Sequence, residues 1–254
     1  MRILLTNDDG IYAPGLEVLE AMARTLSDDL WIVAPAEEQS GAGHSLTLSR
    51  PVRVRRHDPR RFSVSGTPTD AVMMALGEII EGARPELVLS GVNRGANLAE
   101  DVTYSGTVAG AMEGALAGMR AIALSQVYAR EGMGDRVTFA AAEHWGPQVV
   151  RQLLAVELPH RTLVNVNFPA LDPMAVRGIR VVTQGFHDYG RARIVKGIDL
   201  RGYPYYWFGL SAVEQTPGHQ TDLEAIADGF VTVTPLHLDL THHASLAPLA
   251  AAFG

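Results

Sequence analysis

Short apolar runs and helix-period stripes alternate along the first half of the chain. Residues 2–6 run apolar into Asn7-Asp8-Asp9-Gly10, the pattern of a buried strand that opens into a loop. Leu16, Leu19, Met22, Ala23 and Leu26 then recur at the spacing of one helix face and predict a helix over 15–27. Residues 30–34 read as a second buried strand, stopped by Pro35, and a polar loop of small residues follows as far as His44. Two β-like stretches come next, 46–56 and 62–65, the first with Val52, Arg53, Val54 and Arg55 alternating as on a half-exposed strand. In Thr67-Pro68-Thr69-Asp70 a capping threonine, a first-turn proline and an acidic third residue start a helix expected over 68–81. A buried strand at 87–89, a Gly- and Asn-rich loop at 91–97, a small-residue helix at 107–118 and a strand at 121–124 complete this half.

Strands that alternate with helices in this way predict a mostly parallel sheet covered on both faces, a Rossmann-like three-layer αβα fold. The second half is less regular. Residues 138–154 read as a helix, 162–168 and 179–183 as strands, 222–227 as a short helix and 230–234 as a last strand, while 185–219 read as extended arms or hairpins. The expected organisation is a single domain, with a catalytic core over 1–125 and a C-terminal part, 126–254, that completes it.

Composition narrows the class. The net charge of -7 argues against a nucleic-acid polymer as partner, since such binding needs Lys and Arg to neutralise phosphates. With no cysteine there is no disulfide frame, thiolate nucleophile or Cys-based metal site. No stretch approaches the roughly 20 apolar residues of a membrane span, and the start of the chain lacks a signal-peptide core. The expectation is a cytoplasmic protein without a membrane partner.

In a parallel sheet the loops at the carboxyl ends of the strands open on one edge, where ligands bind. Three loops dense in oxygen and amide groups therefore converge: Asn7-Asp8-Asp9-Gly10, Gln39-Ser40-Gly41, and the run Ser90-Gly91-Val92-Asn93 that continues to Asn97. Adjacent aspartates at a buried strand end repel each other and resist ionisation, and a hard divalent cation relieves both effects through oxygen ligands. Helix capping and turn formation are the plainer account of the same pair. Ser105-Gly106-Thr107 opens the small-residue helix, where free amides and hydroxyls favour a phosphate, or else serve only as a cap. Neither GxxxxGK[ST] nor a GxGxxG after the first strand is present, which sets aside P-loop and dinucleotide chemistry.

Leu5-Thr6-Asn7-Asp8-Asp9-Gly10, Ala34-Pro35 with Gln39-Ser40-Gly41, Gly66-Thr67-Pro68-Thr69-Asp70, Ser90-Gly91-Val92-Asn93 with Asn97-Leu98, and Tyr104-Ser105-Gly106-Thr107-Val108 follow one another in the order seen in the SurE family (survival protein E, 5′/3′-nucleotidases), which the chain resembles. The similarity is strongest up to about Leu124 and recurs in Val164-Asn165-Val166-Asn167-Phe168-Pro169 and Thr221-Asp222. The resemblance implies hydrolysis of nucleoside 5′- and 3′-monophosphates, some action on short polyphosphate, one divalent cation per subunit (Mg²⁺ or Mn²⁺), and a homodimer or homotetramer with C-terminal arms in its contacts. It also implies Asp8, Asp9, Ser40 and Asn93 as metal ligands, Asp8 and Asp9 as catalytic groups, and Asn97, Ser105, Gly106 and Thr107 on the phosphate side.

The expected chemistry is attack by a metal-bound water, with Asp8 or Asp9 accepting its proton. Direct attack by Asp8 to give an aspartyl-phosphate is an alternative that lacks the usual DxD spacing. A non-catalytic nucleotide sensor on the same fold remains a separate reading, disfavoured because an anion site without a metal would avoid paired aspartates. A metal-dependent glycosyltransferase would want a DxD motif and a larger acceptor domain. For the aromatic run Tyr203 to Phe208, an interface with a second subunit is preferred over a platform for the base.

Overall fold

The computed structural model describes residues 1–128, 138–187, 192–210 and 220–253. The strands are β1 (Ile3–Thr6), β2 (Leu30–Pro35), β3 (Val54–Asp58), β4 (Arg61–Val64), β5 (Leu87–Arg94), β6 (Arg120–Gln126), β7 (Thr162–Phe168), β8 (Ile179–Val181), β9 (Ala192–Ile198), β10 (Pro204–Leu210) and β11 (Val231–His237). Nine of them form one sheet in the order β3-β4-β2-β1-β5-β6-β7-β11-β8, and β9 and β10 form a separate antiparallel hairpin. From β4 through β7 every neighbour is parallel; β3 and β11 are the antiparallel additions near the two edges.

β1 is the hinge of the topology. It pairs in parallel with β2 on one side and with β5 on the other. The chain thus fills the sheet outward from β1 in one direction and then returns to fill the other. The carboxyl ends of β1 and β5 flank the switch point, the place where open α/β sheets bind ligands.

Successive strand residues point to opposite faces, and β1 shows what each face meets. Ile3 and Leu5 join a core with Leu16, Leu19 and Met22 of α1 (Pro14–Arg24) and Val149 and Val150 of α4 (Ala140–Leu154). Leu4 joins another core with Ala71 and Val72 of α2 (Pro68–Met74) and Val108, Ala111 and Ala115 of α3 (Gly106–Leu116). These are the expected three layers. The capping box that starts α2 is present: Thr67 accepts from the Asp70 amide and Asp70 accepts from the Thr67 amide.

The structure departs from the expected elements at definite places. Of the stretch expected over 46–56, regular strand begins only at β3, an exposed edge; just before it the Arg53 carbonyl still accepts from the Ser65 amide at 2.9 Å and the Arg53 amide donates to Ser65 Oγ at 2.8 Å. The helix expected over 68–81 is α-helical only to Met74 and widens into a π-turn over Ala75–Ile79. The strand expected to stop at 89 continues to Arg94, with a break in register against β6 between Ser90 and Asn93. That break places Asn93 on an extension of β5 rather than in a free loop. Two short helices close the chain: α5 (Asp222–Ala227), which matches its expected span, and α6 (Leu246–Phe253), an exposed apolar helix not expected from the pattern. Part of the arm region, 188–191 and 211–219, lies outside the described residues. No helix among the described residues is long and apolar enough to cross a membrane.

Candidate active site

The loop after β1 is a tight turn held by Asn7, whose side-chain amide donates to the Gly10 carbonyl at 2.9 Å. The turn presents Asp8 inward and Asp9 toward the rim. Asp8 is 4% exposed. Its Oδ1 accepts the Thr107 hydroxyl proton, and the start of α3 packs directly on it. Gly106 makes that approach possible, because a Cβ there would lie 2.7 Å from Cβ of Asp8. Burial, with a lesser contribution from the neighbouring Asp9, pushes the Asp8 carboxyl up to about 6 against the pull of Thr107. Asp9 is also raised, again chiefly by burial, although the Arg94 amide donates to its Oδ2 at 3.1 Å.

The other two loops are tied to this pair. The Gln39 amide donates to the Asp8 carbonyl at 2.8 Å, which fixes Ser40 one residue away. The Arg94 amide on Asp9 likewise fixes Asn93 one residue away. Asn93 donates its side-chain amide to the Gly95 carbonyl at 2.9 Å, which leaves Oδ1 as its acceptor. The Ser40 hydroxyl donates to Glu38 at 2.7 Å, which leaves its lone pairs unused. The four residues expected as metal ligands are therefore tied together by two backbone amides at the switch point, Gln39 to the Asp8 carbonyl and Arg94 to the Asp9 carboxylate.

Whether such a set suits a cation is a matter of donor chemistry. Among the described residues, no three His, Cys, Asp or Glu side chains come together as a metal cluster. The set here is two carboxylates, a hydroxyl and an amide carbonyl, all hard oxygen donors and none suited to soft metals. A buried and a partly buried carboxylate held side by side, both with raised pKa values, are stabilised in ionised form by such a cation. The residues fit.

On the phosphate side the structure sorts the expected residues differently. Ser105 is the N-cap of α3 and accepts from the Val108 amide at 3.0 Å, so its capping role is real. Thr107, expected to face phosphate, is instead fully buried with its hydroxyl committed to Asp8. The Gly106 amide at the first turn of α3 has no such commitment among the described contacts. Asn97 is held from several directions: its amide donates to Asn167 Oδ1 at 2.8 Å and its side chain to Ser125 Oγ at 2.8 Å. Its carbonyl accepts from the side chains of Asn165 (2.7 Å) and Asn167 (3.0 Å).

Those partners carried no assigned role in the sequence. Asn165 and Asn167 are both fully buried on β7, and two polar residues at i, i+2 in an otherwise apolar strand are the signal that marks one polar face. Asp222, also fully buried, accepts from the amides of Ala99 (2.9 Å) and Gly185 (2.8 Å) and so joins the loop after Asn97 to the approach of the β9–β10 hairpin. Glu100 reinforces this seam by accepting from the amide and Nδ1 of His187 at 2.9 and 3.1 Å.

A family model described as Survival protein SurE matches residues 3–191. A protein named 5′-nucleotidase SurE from Rhizorhabdus wittichii is 64% identical, and one of the same name from Erythrobacter litoralis is 61% identical, each alignment covering both chains in full. The crystal structure of SurE protein from Aquifex aeolicus superposes with a TM-score of 0.85 at 38% identity, again over all of both chains. The chain belongs to the SurE family.

Proposed function

We propose that this chain is a metal-dependent 5′-nucleotidase that also accepts nucleoside 3′-monophosphates and short polyphosphate. The observation that carries the reading is the Asp8–Asp9 pair at the switch point, with Ser40 and Asn93 each one residue from a backbone hydrogen bond to it. The names of the full-length relatives support the 5′-nucleotidase activity.

Asp8, Asp9, Ser40 and Asn93 would hold a Mg²⁺ or Mn²⁺ ion, which when bound polarises the phosphoryl group and lowers the pKa of a water. Thr107 fixes Oδ1 of Asp8, so this carboxylate cannot swing away from its place. Asp9 has Oδ2 engaged by the Arg94 amide, and Oδ1 remains to accept a water proton. The Gly106 amide and the Ser105 hydroxyl stand at the N-terminus of α3, where partial positive charge meets the oxygens of the transferred phosphoryl group as their charge grows. Asn97, clamped by Asn165 and Asn167, closes the phosphate side. The exposed aromatics of β10, with Trp207 at 67% and Phe208 at 85%, suit contact with a second subunit and fit a homo-oligomer.

Phosphate release from AMP, 3′-AMP and tripolyphosphate, each with and without Mn²⁺, tests the reading. Release that depends on Mn²⁺ supports it; tight AMP binding with no release under any metal would leave a nucleotide sensor instead. A trapped phospho-enzyme would replace water attack by attack from Asp8.

A further inference from the structure

The reach of the Ser40 hydroxyl depends on a residue outside the expected ligand set. Its proton goes to Oε1 of Glu38 at 2.7 Å, and Nη2 of Arg94 stands 3.9 Å from the same oxygen. Glu38 thus bridges two of the three loops that meet at the site: its own, tied to Asp8 through the Gln39 amide, and the end of β5, tied to Asp9 through the Arg94 amide. A serine hydroxyl has one proton and two lone pairs. While the proton points at Glu38, both lone pairs are turned elsewhere, and a charged acceptor makes the oxygen a better electron donor.

We infer that Glu38 is a positioning residue for the metal site, holding the Ser40 hydroxyl so that its lone pairs, not its proton, face the cation bound by Asp8 and Asp9. The inference rests on the metal-dependent reading of the site. Left without Glu38, the hydroxyl rotates freely and can turn its proton, rather than its lone pairs, toward the cation, which weakens Ser40 as a ligand. Arg94 keeps the Glu38 carboxylate over its loop from the other side. Because Glu38 and Arg94 are about half exposed (54% and 55%), the inference predicts an effect on metal affinity without one on folding.

The test is calorimetric titration of Mn²⁺ into the purified metal-free full chain, with thermal unfolding of the same samples as the folding control. Glu38→Ala should weaken Mn²⁺ binding about tenfold or more, the usual range for loss of a partner that orients a metal ligand. Glu38→Gln keeps an acceptor for the Ser40 proton and should bind within about threefold of the parent. In a Ser40→Ala background, Glu38→Ala should add less than a twofold loss, because the hydroxyl it orients is gone. Unchanged affinity in Glu38→Ala would overturn the inference, as would Glu38→Gln binding as weakly as Glu38→Ala, since the general field of the carboxylate would then be at work. A loss fully additive with Ser40→Ala would overturn it too. If the parent chain bound neither Mn²⁺ nor Mg²⁺, the metal-dependent reading would fall first and this inference with it.

Discussion

Replacing Asp8 with Asn separates what the carboxylate does for the reaction from its effect on the fold. The swap keeps the shape, and Oδ1 of the amide still accepts the Thr107 proton, so the packing of α3 on the turn is preserved. What disappears is the ionisation of a buried carboxyl. Asp8 ionises near 6 in the fold and near its ordinary value of 3.8 as a free side chain. The folded state therefore binds this proton more tightly than the unfolded state, so the metal-free chain gains stability as pH falls from about 7 toward 4 and loses it as pH rises. At pH 8 the ionised carboxylate costs about 3 kcal/mol relative to the unfolded chain; at pH 4 the same relation leaves less than about 1 kcal/mol. Asp8→Asn should accordingly be more stable than the parent in EDTA at pH 8 by up to about 3 kcal/mol, or about 6–12 °C in Tm for a chain of this size. The advantage should shrink several-fold by pH 4. Urea titrations or calorimetric scans of both proteins at pH 4, 6 and 8 measure it, while hydrolysis of AMP should be abolished in the variant. An advantage that does not change with pH, or an Asn variant less stable at pH 8, would refute the assignment of burial as the dominant influence on Asp8.

Three further outcomes are expected. Thr107→Val removes the proton donor that holds the Asp8 carboxyl down, so kcat should fall roughly ten- to a hundredfold and Mn²⁺ binding should weaken more at pH 6 than at pH 8, because a more basic Asp8 lets protons compete better with the cation. Asp222→Ala leaves the amides of Ala99 and Gly185 without their buried acceptor; denaturant titration should show a loss on the order of 2 kcal/mol or more, and kcat/KM should fall as the loop carrying Asn97 loosens. Trp207→Ala should lower the mass seen in sedimentation while KM for AMP and for a base-free phosphomonoester shift alike; a native mass with a raised KM for AMP alone would make the aromatic strand a base platform.

The parallel core was legible because its signals are local. Ile3 to Thr6 and Leu30 to Pro35 are apolar runs bounded by polar turns, and Leu16, Leu19 and Met22 repeat at helix spacing, so strand, helix and face could all be read from a few neighbours. The convergence of the Asp8, Ser40 and Asn93 loops followed from parallel pairing alone. What escaped was set by partners distant in sequence. The extension of β5 to Arg94 depends on pairing with β6 and runs through Gly91 and Asn93, residues that read locally as loop. Thr107 looks like any first-turn hydroxyl until the fold sets Asp8 against it across 99 positions of chain. Asn165, Asn167 and Asp222 entered the sequence reading only as part of a resemblance, since the groups they satisfy lie 37 to 123 positions away. The stretch expected over 46–56 starts too early because its partner, β4 with Ser65 after it, meets Arg53, Val54 and Arg55 but nothing before them.

The close seating of α3 carries a consequence for how sequences of this shape can drift. Gly106, Gly110 and Gly114 fall four apart, and a methyl group on each would come within 2.7 Å of Asp8, 2.8 Å of Ser90 and 2.8 Å of Val88 respectively. The three act as spacers along one rail, setting the height of the helix above β1 and β5 from its reactive end to its far end. An alanine at Gly114, remote from any chemistry, would jack up the tail of the rail and tilt its head, moving the Gly106 amide and the Thr107 hydroxyl together relative to Asp8. Alignment of the reactive end is thus a property of the whole helix. A substitution at Gly114 should be compensated by trimming Val88 beneath it more readily than by any change near Asp8.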